Sequence, residues 1–315
     1  MLAIDLTLHG ADINHTAPAM HFVDHAHLVP RIDTRRHIPA LLELVADEKI
    51  DAVIPLIDSD LAALSRARKR FDAHGANVII SDPDVIRVCA DKLLTFEALS
   101  AAGIDTPRTW PVVDAVKRRK HAFPYFFKPR RGSAGQGLFR VNDLAELKVF
   151  ARREPDAIVQ EFIEGVEHTL DVYTGLDGKP KCVVPRRRLE VRTGEVSKGL
   201  VVKDPRIMAV GRAVVEALGR CRGVITVQGM GAPRGRVCVI EINPRLGGGA
   251  PLSIAAGAHF PKWLMAELLG IPVRGGYERY RDNLAMLRYD ESVFINGDFG
   301  TGMLPRGAKR TRRMT

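Results

Sequence analysis

In Val239-Ile240-Glu241-Ile242-Asn243-Pro244-Arg245 apolar residues alternate with Glu241 and Asn243, and Gly247-Gly248-Gly249 follows. A strand sends every second side chain to one face, so the Glu241 carboxylate and the Asn243 carboxamide leave it together. Val224-Ile225-Thr226-Val227-Gln228 reads as a second strand just upstream, and the turn-prone Pro233-Arg234-Gly235 separates the two. A hairpin centred between Arg234 and Gly235 sets Gln228 directly opposite Glu241, with Cβ atoms roughly 5 Å apart. One carboxylate and two amide oxygens then share a patch, with Arg245 nearby. Oxygen donors of this kind suit Mg²⁺, with Mn²⁺ as its substitute, because such an ion keeps several waters and shares phosphate oxygens. For this stretch alone, a hairpin with a polar solvent face explains the pattern as well.

Tyr125-Phe126-Phe127-Lys128-Pro129 reads as a short buried strand ending in a lysine. Arg130-Arg131-Gly132-Ser133-Ala134-Gly135-Gln136-Gly137 follows, and Leu138-Phe139-Arg140-Val141 resumes an apolar run. Strand, glycine-rich loop and strand is not the strand–loop–helix of a Walker loop, whose Gly-Lys-Ser/Thr ending is absent. The spacing also fails the dinucleotide fingerprint. Gly132, Gly135 and Gly137 let the backbone approach an anion and aim N–H groups at it. Lys128, Arg130 and Arg131 add charge suited to phosphate. A plain hairpin connection is the alternative for such a loop taken by itself.

An ordered series of motifs resembles the ATP-grasp family, in its carbamoyl-phosphate-synthase-like, carboxylate–amine ligase branch. The series is Asp91-Lys92; Lys128-Pro129 with its glycine-rich loop; Val159-Gln160-Glu161-Phe162-Ile163-Glu164-Gly165-Val166-Glu167; Gln228; and Glu241-Ile242-Asn243-Pro244-Arg245. It spans most of the chain. The resemblance implies ATP between two lobes. The backbone of Glu161 and Ile163 would read the adenine edge while Phe162 packs, and Glu167 would accept from the ribose hydroxyls. Lys128 would touch the α-phosphate and the purine, Lys92 another phosphate oxygen, and Gly132, Ser133, Gly135 and Gly137 would close over the phosphates. Mg²⁺ would sit on Glu241, Asn243 and Gln228, and Arg245 would stabilise charge on the transferring phosphoryl group. Arg186, Arg188 and Lys198 are expected to hold the acid substrate or the γ-phosphate, a solvated strand face being the alternative. Asp171 is a structural partner for an arginine, and Thr226 stands where the family often has Asn.

The implied chemistry is ATP-dependent activation of a carboxylate as an acyl phosphate, attacked by an amine, with ADP and phosphate as products. Small-molecule carboxylate and amine substrates are the expected partners, and a homodimer fits the family. Bicarbonate activation is one alternative. A non-catalytic ATP- or RNA-binding module is another, although such a binder would not need Glu241, Asn243, Gln228 and Arg245 together.

The net charge of +10 points toward nucleic acid as one partner class. Aromatics are only 6% and do not interleave with the basic clusters Arg130-Arg131 and Arg186-Arg187-Arg188, as a stacking platform would require. Nucleic-acid contact is therefore expected only from the basic run Arg306–Arg313, read as a solvated, disordered tail. No apolar run approaches the roughly 20 residues of a membrane helix. The start lacks a basic segment ahead of an apolar one, so no signal peptide is read there. Cys89, Cys182, Cys221 and Cys238 show no Cys-x-x-Cys spacing, which leaves reduced thiols and a cytoplasmic location as the expectation.

The elements that must position these groups follow from periodicity. Helical patterns at 38–48 and 61–74 alternate with the apolar runs 52–57 and 78–80, which predicts a parallel α/β sheet. A helix is expected to start at Asp82-Pro83-Asp84, further helices at 91–102, 143–153, 205–218, 252–256 and 261–269, and strands over most of 156–243. The expected fold class is α/β: a small parallel N-terminal domain at 1–82, then two ATP-grasp lobes at 83–155 and 156–275, then a C-terminal extension at 276–315. Family members open with a strand, a glycine-rich turn and a helix. Here Leu2-Ala3-Ile4-Asp5-Leu6 resembles the second strand, so the first βα unit is missing and an incomplete N-terminus is expected.

Overall fold

The computed structural model describes residues 5–132, 137–231 and 237–295. The turn Pro233-Arg234-Gly235, the loop residues Ser133 and Gly135, and the basic run Arg306–Arg313 lie outside the described residues. The described chain clusters into two compact units, one running up to Ile50 and resuming at Tyr289, the other Asp51–Arg288. In the first unit, β1 (His9–Asp12) pairs in parallel with β2 (His25–Leu28), and α1 (His37–Asp47) follows.

The second unit carries every candidate site residue. Its front contains β3 (Ala52–Val53), α2 (Asp58–Asp72), β4 (Asn77–Val78), α3 (Pro83–Ala90) and α4 (Lys92–Ala101). The expected strand at 52–57 shrinks to two residues paired with β4, and Ile54, Leu56 and Ile57 are exposed. A buried parallel strand needs neighbours on both edges; among the described residues β3 has one, and Pro55 cannot donate to a second. The α4 start is well specified. Asp91 accepts from the backbone N–H groups of Leu93 and Leu94 as its N-cap.

A four-stranded sheet comes next, from β5 (Thr109–Pro111), β6 (Tyr125–Lys128), β7 (Phe139–Val141) and β8 (Ile158–Glu161), in the order β5-β8-β6-β7. Helices α5 (Val112–Val116) and α6 (Leu144–Arg153) cover one face, burying Val112, Tyr125, Phe127, Val141, Leu147 and Val159 together. Because β8 pairs with β6 and β5, this lobe runs on to Glu161, beyond the expected limit at 155.

The larger lobe is built on a six-stranded antiparallel sheet. Its members are β9 (Val166–Gly175), β10 (Cys182–Arg192), β11 (Glu195–Val201), β12 (Gly223–Gly231), β13 (Val237–Asn243) and β14 (Ala285–Leu287), in the order β13-β12-β9-β10-β11-β14. Helix α7 (Pro205–Leu218) joins α3 and α4 on one face, over Leu170, Val172, Val183, Ile225 and Val227. Helices α8 (Ala250–Ala256) and α9 (Phe260–Leu268) cover part of the other, over Tyr173, Val184 and Val201.

Arg186 lies on that second face and is only 1% exposed. Its guanidinium grips Asp171 with two hydrogen bonds of 2.7 and 2.9 Å, and Ser253 donates to the same carboxylate at 2.6 Å. Arg186 is therefore a structural cation rather than the catalytic one expected. Removing one member of a buried pair strands the other charge. Arg186→Met should lower the unfolding free energy in urea by about 3–5 kcal/mol. A variant of native stability that loses only turnover would contradict this assignment.

Candidate active site

Alternation concentrates polar side chains on one face of four paired strands. Gln228 lies directly opposite Glu241, and Thr226 opposite Asn243, as the hairpin predicts. On the other side of β12, Gln228 faces Thr169 and Thr226 faces Asp171. Directly opposed residues share a face, so Glu241, Asn243, Gln228, Thr226 and Thr169 stand together. The register slips by one between Gln228 and Gly229, which makes Ile240 the extra residue of a β-bulge. Ile240 and Glu241 consequently both line the cleft, while Val239 and Ile242 both enter the core.

The four-stranded sheet forms the opposing wall. Between the two sheets lies a cleft of about 460 Å³. Phe126 and Lys128 of β6, and Glu161, Phe162 and Ile163 at the exit of β8, line one side; Gln228, Met230, Ile240, Glu241 and Asn243 line the other. Part of the cleft is an apolar slot made by Phe126, Leu138, Ile163, Met230 and Ile240. Phe162 packs 6.4 Å from Phe126, and the Arg140 guanidinium lies 4.9 Å over its ring. Such a slot, ending in charged groups, suits a ligand with a flat apolar end and an anionic end.

The charged end is tightly tied. Lys92 and Lys128 are 9% and 5% exposed, unusual for lysines, and both line the cleft. The Lys92 ammonium donates to the Gly132 carbonyl at 2.8 Å and lies 4.0 Å from Glu241 Oε1. Burial pushes the Lys128 ammonium down to about 8; Glu241 opposes the fall and Lys92 adds to it. Gly132 adopts φ +118°, a conformation L side chains rarely take, which fits a backbone that must turn beside a lysine. Gly137 also has a positive φ but does not line the cleft.

Arg130 and Arg131 do not face phosphate as expected. Arg130 Nε sits 2.8 Å from both oxygens of Asp91, and Arg131 reaches the same carboxylate at 3.1 Å. Burial alone would raise the Asp91 carboxyl, but hydrogen bonds from Arg130, Leu94 and Leu93 outweigh it and hold it below the usual range. One carboxylate thus caps α4 and clamps the root of the glycine-rich loop.

Three further placements differ from expectation or were not foreseen. Gly199, not Lys198, lies opposite Arg188, so Lys198 leaves the other face of the sheet and pairs with Glu190 at 2.6 Å. Of Arg186 and Arg188, it is Arg188 that lines the cleft, where it holds Glu167 at 2.7 Å and Gln228 Oε1 at 3.2 Å. Arg245 lines the cleft, but its guanidinium rests on Asp58 at the start of α2, with contacts of 2.7 and 2.5 Å. Nothing in the sequence singled out Asp58; an acidic first turn reads only as a response to the helix dipole.

Glu241, Asn243 and Gln228 provide three hard oxygen donors on one surface, which fits a small divalent cation. Among the described residues no group of three His, Cys, Asp or Glu could hold a metal. One carboxylate with two amides suits an ion that takes its remaining ligands from phosphate and water.

The sequence model of the ATP-grasp domain matches residues 89–249, and that of a PylC-like N-terminal domain matches residues 3–79. A carbamoyl-phosphate synthase of Methanobrevibacter smithii is 26% identical over 170 residues, which is 51% of this chain and 45% of that protein. A 3-methyl-D-ornithine–L-lysine ligase of Methanosarcina barkeri is 26% identical over 211 residues, 65% of this chain and 52% of that one. The chain thus spans about half the length of these curated relatives. Among solved structures, the biotin carboxylase domain of Hydrogenobacter thermophilus 2-oxoglutarate carboxylase, in complex with MgADP and bicarbonate, superimposes with a TM-score of 0.71. It is 19% identical, and the alignment covers 88% of this chain and 67% of that one. At that identity the likeness concerns the fold alone.

The depressed Lys128 ammonium gives the cleft a pH signature. An anionic ligand binds the protonated lysine, which is lost as pH rises through about 8. ADP affinity, measured by calorimetry, should fall about tenfold between pH 7 and pH 9, and Lys128→Met should flatten the profile. A wild-type profile that is already flat would show that Lys128 does not meet the nucleotide.

Proposed function

Given that this chain belongs to the ATP-grasp family, we propose that it is an ADP-forming ligase that activates a carboxylate as an acyl phosphate and passes the acyl group to an amine. The observation that carries this reading is the meeting, across one cleft, of two buried lysines with Glu241, Asn243, Gln228 and Arg245. In this reading the adenine occupies the apolar slot against the Glu161–Ile163 backbone, and Glu167 faces the ribose. Lys128 and Lys92 hold phosphate oxygens, with Gly132 beside them. Glu241, Asn243 and Gln228 would hold Mg²⁺, which supplies charge neutralisation to the phosphates when bound.

The reaction needs positioning more than a covalent protein group. An oxygen of the acid forms a bond to the γ-phosphorus while the bond to the ADP oxygen breaks, and ADP leaves with that electron pair. Arg245, permanently charged and held by Asp58, lines the cleft and stabilises the charge on these oxygens through its field. The amine nitrogen then attacks the acyl carbon, the tetrahedral adduct expels phosphate, and the nitrogen releases its proton to solvent. The name of the Methanosarcina barkeri relative, a ligase of two amino acids, supports carboxylate–amine chemistry. The carbamoyl-phosphate synthase relative favours a second reading, in which bicarbonate is the acid.

Hydroxylamine intercepts acyl phosphates. With Mg-ATP, hydroxylamine and a pool of carboxylic acids, the protein should produce a hydroxamate and ADP, identified by mass spectrometry. Bicarbonate-dependent ADP release without a hydroxamate would select the second reading, and no acid-dependent ADP release at all would contradict both. Glu241→Gln should cut turnover about a hundredfold or more while leaving the melting temperature near that of the wild type. Turnover at the wild-type rate would remove Glu241 from the metal site.

A further inference from the structure

Arg188 ties three parts of the cleft wall together. It starts on β10, reaches over β9 and ends against β12 on the far side. One terminal nitrogen donates to Glu167 Oε1 at 2.7 Å and to Gln228 Oε1 at 3.2 Å; the other donates to the Gly194 carbonyl at 2.8 Å. All three acceptors belong to residues that line the cleft. Gly194 lies in the turn between β10 and β11, where Thr193 and Gly194 both have positive φ, as a tight two-residue hairpin turn demands. Arg188, Gly194, Gln228 and Arg245 also line a smaller cavity of about 50 Å³ that opens off the cleft.

A purely structural arginine is placed differently. Two residues earlier on the same strand, Arg186 donates through Nε and a terminal nitrogen to Asp171. Arg188 instead leaves its Nε buried with no acceptor among the described residues, a cost that its terminal contacts must offset. The cleft wall therefore dictates where this guanidinium sits. Its charge is already met by Glu167, so it is not held in reserve for an acid or for the γ-phosphate.

The group that this contact changes is Glu167. Its side chain is 30% exposed, and a partly exposed glutamate left to itself samples several rotamers. Arg188 fixes Oε1 through a short charge-assisted bond, while Oε2 takes no partner among the described residues. A carboxylate held this way offers an aligned acceptor, because its ordering entropy is lost before a ligand arrives. Gln228 and the Gly194 carbonyl hold the guanidinium from two further sides, so its grip on Glu167 does not depend on the ligand.

We propose that Arg188 is a positioning residue for the sugar of the nucleotide: it aims the Glu167 carboxylate at the ribose hydroxyls and thereby sets the preference for a nucleotide that carries them. The proposal rests on the nucleotide reading above and adds what fixes its ribose end.

Calorimetry on the full chain, comparing ADP with 2′,3′-dideoxy-ADP, tests this with no acid or amine present. Hydrogen bonds from hydroxyl to a fixed carboxylate should give the wild type a preference for ADP of about tenfold or more. Glu167→Gln should remove most of it. Arg188→Met should weaken ADP about tenfold more than dideoxy-ADP and so remove most of it as well. Arg188→Lys keeps the charge but cannot serve three acceptors from one planar group, and should keep only part of the preference. This gentler change carries the test if the methionine variant does not fold. Equal weakening of both nucleotides, or a full preference in either Arg188 variant, would mark Arg188 as structural and overturn the inference; the Glu167 reading would then still stand if Glu167→Gln abolishes the preference. A wild-type protein that binds the two nucleotides alike, or binds neither, would overturn the ribose reading and this inference with it.

Discussion

The pairing of β12 with β13 is the constraint on which the rest of the site depends. A strand register has a period of two, so a slip of one residue would send Glu241, Asn243 and Gln228 into the core and bring Ile242 and Val227 into the cleft. Burial of Val227, Ile225, Val239 and Ile242 under α3, α4 and α7 opposes that slip. The same apolar packing that stabilises the large lobe therefore holds three oxygen donors on one surface. Next to them, β9 and β10 extend the polar face with Thr169, Arg188 and the buried Arg186–Asp171 pair.

Electrostatics on this face is organised by pairing each cation before a ligand arrives. Arg186, Arg188 and Arg245 are each held by a carboxylate, and Arg130 and Arg131 share Asp91. Lys128 is the contrast. It is buried, its ammonium is destabilised by desolvation, and only the more distant charges of Glu241 and Glu167 oppose that. A cation kept in this condition gains most from an incoming anion, because the ligand replaces the solvation that folding removed. Asp58 has a different part: it comes from outside the two sheets, yet it fixes the arginine that borders both cavities.

The helices and the hairpin follow from local signals. Asp91, Asp143 and Asp204 each cap the helix expected after them, and Gly75 and Gly103, both with positive φ, follow α2 and α4 closely. Alternation and a turn centred between Arg234 and Gly235 predict Gln228 opposite Glu241, and that pair forms, but Gly231 pairs with Val237, one residue off that register, and the bulge at Ile240 makes up the difference. What failed depended on partners far along the chain. Arg130 and Arg131 read as phosphate ligands because Asp91 lies some 40 residues away. Arg186 and Arg188 read alike until Asp171 takes one and Glu167 the other. Lys198 was misassigned because the register of β10 against β11 shifts twice, after Arg188 and again after Glu190, which no alternation pattern reveals. The apolar run at 52–57 looked like a buried strand because composition does not show how many neighbours a strand will find.

The central claim is that an oxygen of the acid attacks phosphorus. It is tested most directly by following that oxygen. With a carboxylic acid labelled with ¹⁸O in both positions, Mg-ATP and an amine acceptor, the inorganic phosphate is analysed by mass spectrometry. An acyl-phosphate route transfers one labelled oxygen from the acid to each phosphate formed, in step with the amide product. Phosphate that carries no label, its new oxygen drawn from water, would contradict the account.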